Sequence, residues 1–190
     1  MDSHFGQKRL NNELALIEQA KTDDQAFGIL YDFYFSRIYY FILKRVGQKE
    51  IAEDIVSTIF LKVFTGLKKF QPKNEYSFSS WLYRIATNNL TDYYRHQGKQ
   101  KIVNIENIIE PVDDRQDLET QVMNDVDKEL VRKILNDLSP RVQEILQLKF
   151  YGELSNLEIA VVLKTTPGNA GVLIYRALKK FKLSYQKYVK

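Results

Sequence analysis

The chain has 190 residues, of which 44% are hydrophobic and 27% charged, so it can form one large or two small globular domains with a buried core. It has no cysteine, which excludes a disulfide framework, a thiolate-ligated metal centre and a cysteine nucleophile. It has only two histidines, His4 and His96, which are too few ligands for a histidine-ligated metal centre. The formal charge is only +4, no apolar run approaches the ~18 residues of a membrane span, and the N-terminus lacks a signal-peptide core. We therefore expect a soluble, cytoplasmic protein.

Helical periodicity dominates residues 10–97, and strand-like alternation is nearly absent. A first short helix lies around Leu14. Thr22 and Gln25 have the spacing of a capping box before a second helix, which Gly47 ends. This stretch is therefore expected to begin an N-terminal helical module.

Two further helices complete this N-terminal module. Apolar residues at four-residue steps predict a third helix over residues 50–65, which Gly66 ends. After a loop, Ser77 is expected to cap a fourth helix over residues 77–96. Four helices with this much aromatic and aliphatic surface can form an independent bundle.

The helical pattern fails over residues 98–120, where the chain becomes acidic. Residues 99–140 carry six basic and ten acidic groups, and Pro111 lies among them. This composition is typical of a solvated linker between domains. Its 23 residues, at roughly 3.3–3.6 Å each, could reach about 75–80 Å, comparable with the ~70 Å of two turns of duplex DNA.

A second helical module is predicted over residues 121–187, and residues 141–190 carry nine basic and three acidic groups. Ser155 and Glu158 form a capping box before a short helix, and Thr166 caps a longer one with a basic C-terminal half. A short helix, a tight turn and a longer helix are the arrangement of a helix-turn-helix, although an ordinary helical hairpin with a solvated lysine tail has the same pattern. The predicted fold is all-α, with two small helical domains joined by an acidic linker and a helix-turn-helix in the C-terminal one.

The fourth helix has a polar face that suits single-stranded nucleic acid. Steps of three and four residues place the following side chains opposite most of the apolar stripe: Tyr83, Arg84, Thr87, Asn88, Thr91, Tyr94 and Arg95. Aromatic rings can stack on bases while cations follow the phosphates. The alternative is a solvent-facing helix whose tyrosines are half buried.

Three segments occur together in a characteristic order: QAFGILYDFYFSRIYYFILKRVGQKEIAEDIVSTIFLKVF, FSSWLYRIATNNLTDYYRH and LSPRVQEILQLKFYGELSNLEIAVVLKTTPGNAGVLIYRALKKF. In sequence and spacing they resemble bacterial RNA polymerase sigma factors of the extracytoplasmic-function (ECF) group in the sigma-70 family. The resemblance covers nearly everything from about Leu14 to Phe181 apart from the linker. It implies that residues 10–97 form a region-2-like domain and residues 121–187 a region-4-like domain.

The resemblance implies that the third helix contacts the clamp of core RNA polymerase. The candidate contact residues are Asp54, Ile55, Ser57, Thr58 and Phe60. Asp54 holds the family's acidic position. Ser57 and Thr58 stand where the family usually has a Gln-Glu pair, so this contact is expected to be less polar. Ile55 and Phe60 could instead belong to the core.

The loop before the fourth helix, and the helix itself, match the family's segment that recognises and opens the proximal promoter element. The candidates for DNA contact are Lys73, Asn74, Ser77, Tyr83, Arg84, Asn88, Thr91, Asp92 and Arg95. The loop resembles one that captures an extruded base, a step that costs a few kcal/mol of stacking. Asn88 could read a base, and Trp81 is expected to anchor the helix in the core.

The helix-turn-helix is expected to bind the distal promoter element in the major groove. The candidate residues are Thr166, Gly168, Asn169, Val172, Arg176 and Lys179. Asn169 would contact a base and Val172 a thymine methyl, while backbone amides at the helix N-terminus would meet phosphate. The family is usually basic through the middle of this helix, where this chain has Gly171, so affinity is expected to depend more on Arg176 and Lys179.

The implied function is that of a transcription initiation factor that performs no covalent chemistry and uses no cofactor or metal. Its expected partners are core RNA polymerase, promoter DNA in duplex and single-stranded form, and an anti-sigma factor, without membrane insertion. One alternative is a helix-turn-helix regulator that binds duplex DNA without polymerase, but that reading leaves the first module unexplained. An enzyme is the other alternative, and the chain has neither a paired-carboxylate nor a phosphate-loop motif to support it.

Overall fold

The computed structural model describes residues 10–74, 77–97 and 129–189, and all regular structure in these ranges is helical. The predicted acidic linker lies outside the described residues. The helices are α1 (Glu13–Gln19), α2 (Asp24–Val46), α3 (Lys49–Leu67), α4 (Ser77–His96), α5 (residues 129–137 of its described part), α6 (Pro140–Phe150), α7 (Asn156–Leu163) and α8 (Pro167–Tyr188). The prediction of an all-α chain is confirmed.

The long α2 helix begins and ends at residues with local reasons to do so. The Asp23 carboxylate accepts a hydrogen bond from the backbone N–H of Gln25 at 2.8 Å, which satisfies one of the free amides of the first turn. The predicted cap at Thr22 is therefore wrong by one residue, since the Thr22 hydroxyl instead donates to the carbonyl of Gln19. Gly47 ends the helix as predicted, with a φ of 73° that favours glycine.

The core of the N-terminal module lies between α2, α3 and α4, where Ile38, Ile59 and Leu82 are fully buried. Gly66 does not end α3, because the helix continues to Leu67. A Cβ atom on Gly66 would lie 3.0 Å from Cζ2 of Trp81, so the missing side chain makes room for the indole. Trp81 is half buried at this position.

Two capped helices form the helix-turn-helix of the C-terminal module. The predicted capping box before α7 is present: the hydroxyl of Ser155 accepts from the backbone N–H of Glu158, whose carboxylate accepts from the backbone N–H of Ser155. Lys164 ends α7 in the left-handed conformation, and the Thr166 hydroxyl caps α8 by accepting from the N–H of Asn169. Ala160 and Ile174 are both buried in this module.

The two modules pack against each other through α4 and α7. The hydroxyl of Ser79 donates a hydrogen bond to the carboxylate of Glu158, and both side chains are buried. Beside this pair, a Cβ atom on Gly152 would lie 3.0 Å from Cε1 of Tyr83. This buried contact joins α4 to the segment from Gly152 to α7.

Candidate nucleic-acid interface

One face of α3 carries a stripe of exposed residues. Asp54, Ser57 and Thr58 are all exposed, as a protein-binding surface requires. Leu61 lies on the same face, because positions i, i+3, i+4 and i+7 of a helix align. It is 63% exposed and is one of several large apolar side chains on the surface of the described residues. Sequence periodicity does not single out Leu61, because it reads as one more apolar residue of the third helix.

Ile55 and Phe60, the other candidates on α3, are buried. The Phe60 ring lies edge-on against Tyr31, with centroids 4.7 Å apart, and is close to Phe35. These contacts belong to the packing of α3 on α2, so the alternative that Ile55 and Phe60 are core residues holds. Neither can meet another protein directly in this structure.

The loop before α4 is tied to the first residue of that helix. The backbone N–H groups of Lys73 and Asn74 both donate to the hydroxyl oxygen of Ser77 at 3.0 Å, and that hydroxyl donates to the side-chain carbonyl of Asn74 at 3.0 Å. Ser77 is the first residue of α4, and its hydroxyl binds the preceding loop. It does not act as the predicted N-cap, the residue that precedes the helix and accepts from its first free N–H groups. Lys73 and Asn74 are exposed, so the loop presents a cation and an amide beside the helix start.

The outer face of α4 retains five of the candidate residues. Asn88, Thr91 and Arg95 are exposed, and Arg84 and Asp92 are half buried. Arg95 pairs with Asp92 at 3.1 Å across one turn, and because water reaches both side chains this pair contributes little to stability. The face therefore offers an amide, a hydroxyl and guanidinium groups at the spacing that the sequence predicts.

Three residues predicted on that face are buried instead. Tyr83, Thr87 and Tyr94 are at most 7% exposed, so the prediction that they face outward is wrong for this arrangement. Tyr94 donates its hydroxyl to the backbone carbonyl of Arg45, whereas the Tyr83 hydroxyl has no hydrogen-bond partner among the described residues. Burial raises the pKa of Tyr83 well above its ordinary value, so this hydroxyl stays neutral.

The recognition candidates on α8 are all exposed, from Thr166 and Gly168 at its start to Arg176 and Lys179 in its middle. Asn169, also exposed, is oriented by the turn, because its side-chain N–H donates to the hydroxyl of Thr165 at 2.6 Å.

The side of α8 that carries Val172 is open to solvent, and Val172 itself is 45% exposed. Between Pro167 and Tyr188 the helix has five basic residues and no acidic one. The helix therefore presents a purely positive set of charges behind its capped N-terminus, the distribution that attracts a phosphate backbone.

Gly171, in the second turn of α8, is not required by the packing. A Cβ atom on Gly171 would lie 3.6 Å from the side-chain nitrogen of Asn156, which is an ordinary contact distance. The backbone there is regular helix, so no unusual φ angle calls for glycine. The fold would therefore accept a larger side chain at Gly171, and the lack of a basic side chain there concerns only the surface that α8 presents.

Other classes of site find little support in the part of the chain that the structure describes. Residues 10–74, 77–97 and 129–189 contain no group of three or more His, Asp or Glu side chains that could hold a metal ion. In the same residues no single helix is long and apolar enough to cross a membrane. Only α7 and α8 taken together reach the necessary length and composition, and they are bent by 95° at the turn between them.

Comparisons with known proteins match both modules. The family model described as Sigma-70 region 2 matches residues 30–100, and that described as Sigma-70, region 4 matches residues 128–181. The chain is 29% identical over 167 residues to the ECF RNA polymerase sigma factor BldN of Streptomyces coelicolor, covering 87% of this chain but only 63% of that protein. It is 29% identical over 179 residues to the ECF RNA polymerase sigma factor SigW of Bacillus subtilis, covering 86% of this chain and 93% of the relative.

A solved structure shares the fold. The structure of CnrH in complex with the cytosolic domain of CnrY superposes with a TM-score of 0.63 at 21% sequence identity, over 89% of this chain and 94% of that one.

Proposed function

The chain belongs to the sigma-70 family of RNA polymerase sigma factors, in the ECF group, and we propose that it binds core RNA polymerase and directs promoter recognition and DNA melting. The observation that carries this proposal is the combination of two exposed helix faces on two modules. One is the outer face of α4 with its adjoining loop, and the other is the N-terminal half of α8. A two-part DNA element needs two such faces, and a single helix-turn-helix offers only one.

The contact with polymerase is proposed for the exposed stripe of Asp54, Ser57, Thr58 and Leu61 on α3. An exposed leucine surrounded by small polar groups and a carboxylate is typical of a protein-binding patch, because burying the leucine contributes affinity and the polar rim gives orientation. Ile55 and Phe60 would support this stripe from beneath without touching the partner.

Melting is proposed to result from differential binding. The loop at Lys73 and Asn74 and the outer face of α4 at Asn88, Thr91 and Arg95 would hold unstacked bases and their phosphates better than duplex. That preference shifts the opening equilibrium without any covalent step, so the protein would act without catalysis of its own. We also propose a cytoplasmic location and regulation by an anti-sigma factor, in line with the CnrH fold neighbour, which was solved with a bound partner domain.

Recognition of the distal element is proposed for the N-terminal half of α8. The free N–H groups beside Gly168 and the positive end of the helix dipole would bind phosphate, with Asn169 and Val172 placed toward the bases. Arg176 and Lys179 would follow the backbone. A helix without carboxylates suits this role because no like-charge repulsion opposes the phosphates.

The deciding experiment is a pull-down of core polymerase by the tagged chain, followed by run-off transcription from a promoter. Charge reversal by Asp54→Lys should weaken binding about tenfold, the typical effect of a repulsive charge in an interface. The matched control is Glu18→Lys, which makes the same change at an exposed position on α1. Tight, specific binding to duplex DNA without polymerase would instead favour an independent helix-turn-helix regulator.

Salt dependence tests the distal contact separately. Arg176→Ala or Lys179→Ala should each lower the slope of log K against log salt for promoter binding by about one, because each removes a phosphate contact. Lys133→Ala, on the exposed surface of α5, should leave the slope unchanged. Equal slopes for all three variants would contradict the proposed role of α8.

A further inference from the structure

Asn156, the first residue of α7, lies against the surface of α8. A Cβ atom on Gly171 would be 3.6 Å from the side-chain nitrogen of Asn156, so the amide covers the place where a side chain at Gly171 would begin. Asn156 is nevertheless exposed to solvent. This amide of α7 therefore forms part of the surface that α8 presents.

The capping box fixes the backbone that carries Asn156. The Ser155 hydroxyl accepts a hydrogen bond from the backbone N–H of Glu158, and the Glu158 carboxylate accepts one from the backbone N–H of Ser155. Asn156 lies between these two residues, and Glu158 is only 1% exposed. A side chain at a fixed helix start is positioned more precisely than one on a loop, as contact with a base edge requires.

The amides of Asn156 and Asn169 differ in the hydrogen bonds that they make. Among the described residues the side chain of Asn156 takes part in no hydrogen bond, whereas one side-chain N–H of Asn169 is donated to Thr165 at 2.6 Å. An asparagine amide has an acceptor oxygen and two donor hydrogens, which pair with N6 and N7 of adenine in the major groove. Asn156 has this complete set available for a ligand.

The surface of α8 beside Asn156 has no side chain of its own at two successive turns. Gly168 and Gly171 are three residues apart and lie on one side of the helix. Val172 adjoins them and is 45% exposed, and Tyr175, one turn further on, is 67% exposed. In the proposed function Gly168 meets phosphate and Val172 meets the bases. Gly171 lies between them, so a group held over Gly171 meets the same stretch of DNA.

We propose that Asn156 reads a base of the distal element, in the place that a side chain at position 171 would otherwise take, and that it favours adenine. This inference rests on the proposed function, because it needs α8 in the major groove. Both helices of the helix-turn-helix then contribute to specificity, α8 through Asn169 and Val172 and α7 through Asn156.

Selection from a pool of random duplex DNA, by the full-length chain bound to core polymerase, measures the preference at each base pair. The unmodified chain should enrich two separated blocks of sequence. Asn156→Ala should lower the preference for adenine about tenfold at one position of the distal block and leave the proximal block unchanged. The control Asn136→Ala removes the same side chain from the exposed surface of α5 and should change neither block. Weaker binding to all sequences with unchanged preferences would overturn the proposal, because phosphate contacts act in that way.

Gly171→Arg tests whether positions 156 and 171 share one place on the DNA. The arginine should replace the preference for adenine by a preference for guanine, since its guanidinium pairs with O6 and N7 of guanine. Adding Asn156→Ala to Gly171→Arg should then change nothing further. Independent, additive effects of the two substitutions would overturn the shared place.

Urea unfolding of the same variants excludes a general loss of structure. Asn156→Ala removes no hydrogen bond within the described residues and leaves the capping box intact, so the midpoint should stay the same. Gly171→Arg should not lower the midpoint, because arginine favours a helix more than glycine does. A changed base preference at an unchanged midpoint then reports the DNA contact alone.

The selection also separates this inference from the proposed function. A distal block that is identical for the unmodified chain and for Asn156→Ala would refute the role of Asn156 and leave the proposed function standing. A chain that enriches no distal block with core polymerase would refute the proposed role of α8, and the inference with it.

Discussion

Two buried tyrosines, one with a hydrogen-bonded hydroxyl and one without, test how such a hydrogen bond affects the free energy of unfolding. The Tyr34 hydroxyl donates to the carboxylate of Glu13 at 2.5 Å, and both residues are buried. The Tyr83 hydroxyl is equally buried, but it has no partner among the described residues. In both cases the ring is held by aromatic neighbours that phenylalanine would preserve, such as Phe78 for Tyr34 and Phe41 for Tyr83. The change from tyrosine to phenylalanine therefore isolates the hydroxyl.

The two substitutions should have opposite effects on the free energy of unfolding. Tyr34→Phe removes a donor from a buried carboxylate and should lower that free energy by about 1.5–3 kcal/mol, the range for hydrogen bonds to charged groups. Tyr83→Phe removes a hydroxyl whose desolvation nothing offsets, and should raise it by about 1 kcal/mol.

Urea unfolding followed by the fluorescence of Trp81 on α4, the single tryptophan of the chain, measures both effects. With a slope of about 2 kcal/mol per M, the midpoint should fall by roughly 1 M for Tyr34→Phe and rise by roughly 0.5 M for Tyr83→Phe. The slope itself should not change. A loss of stability from Tyr83→Phe comparable with that from Tyr34→Phe would refute the reasoning, because it would mean that the Tyr83 hydroxyl has a partner.

Two further predictions concern alkaline pH and glycine. Burial raises the pKa of Tyr34 and Tyr83 above the ordinary 10.0, so above pH 10 both hydroxyls ionise in the unfolded chain while they stay neutral in the folded one, and this favours unfolding. The free energy of unfolding should fall by about 1.4 kcal/mol per pH unit for each of them, and a pH series of urea midpoints with Tyr83→Phe should show the shallower slope. Gly28→Ala in α2, where a Cβ meets nothing within 4 Å, should raise the thermal midpoint by the equivalent of about 0.5–1 kcal/mol. Gly66→Ala should lower it, because the Cβ would press on the Trp81 ring, and stabilisation by both changes would contradict this account.

The sequence was most informative where structure is decided locally. The capping box of Ser155 and Glu158, the cap at Thr166 and the stop at Gly47 depend on residues three or four positions apart, and all three are present as predicted. Gly66 shows the limit of such reasoning, because a glycine can end a helix or can make room for a neighbouring side chain. Here it makes room for the indole of Trp81, which is fifteen residues away along the chain, and no local sequence pattern predicts that contact.

The outward face of α4 could be predicted only in part, because the helix is buried on two sides. Periodicity separates one apolar stripe from one polar face, which suits a helix with a single buried side. In α4 the apolar stripe packs on α2 and α3, while a polar strip that includes Ser79, Tyr83 and Thr87 is also buried. Because the residues of this second strip are polar, the sequence assigns Tyr83 and Thr87 to solvent.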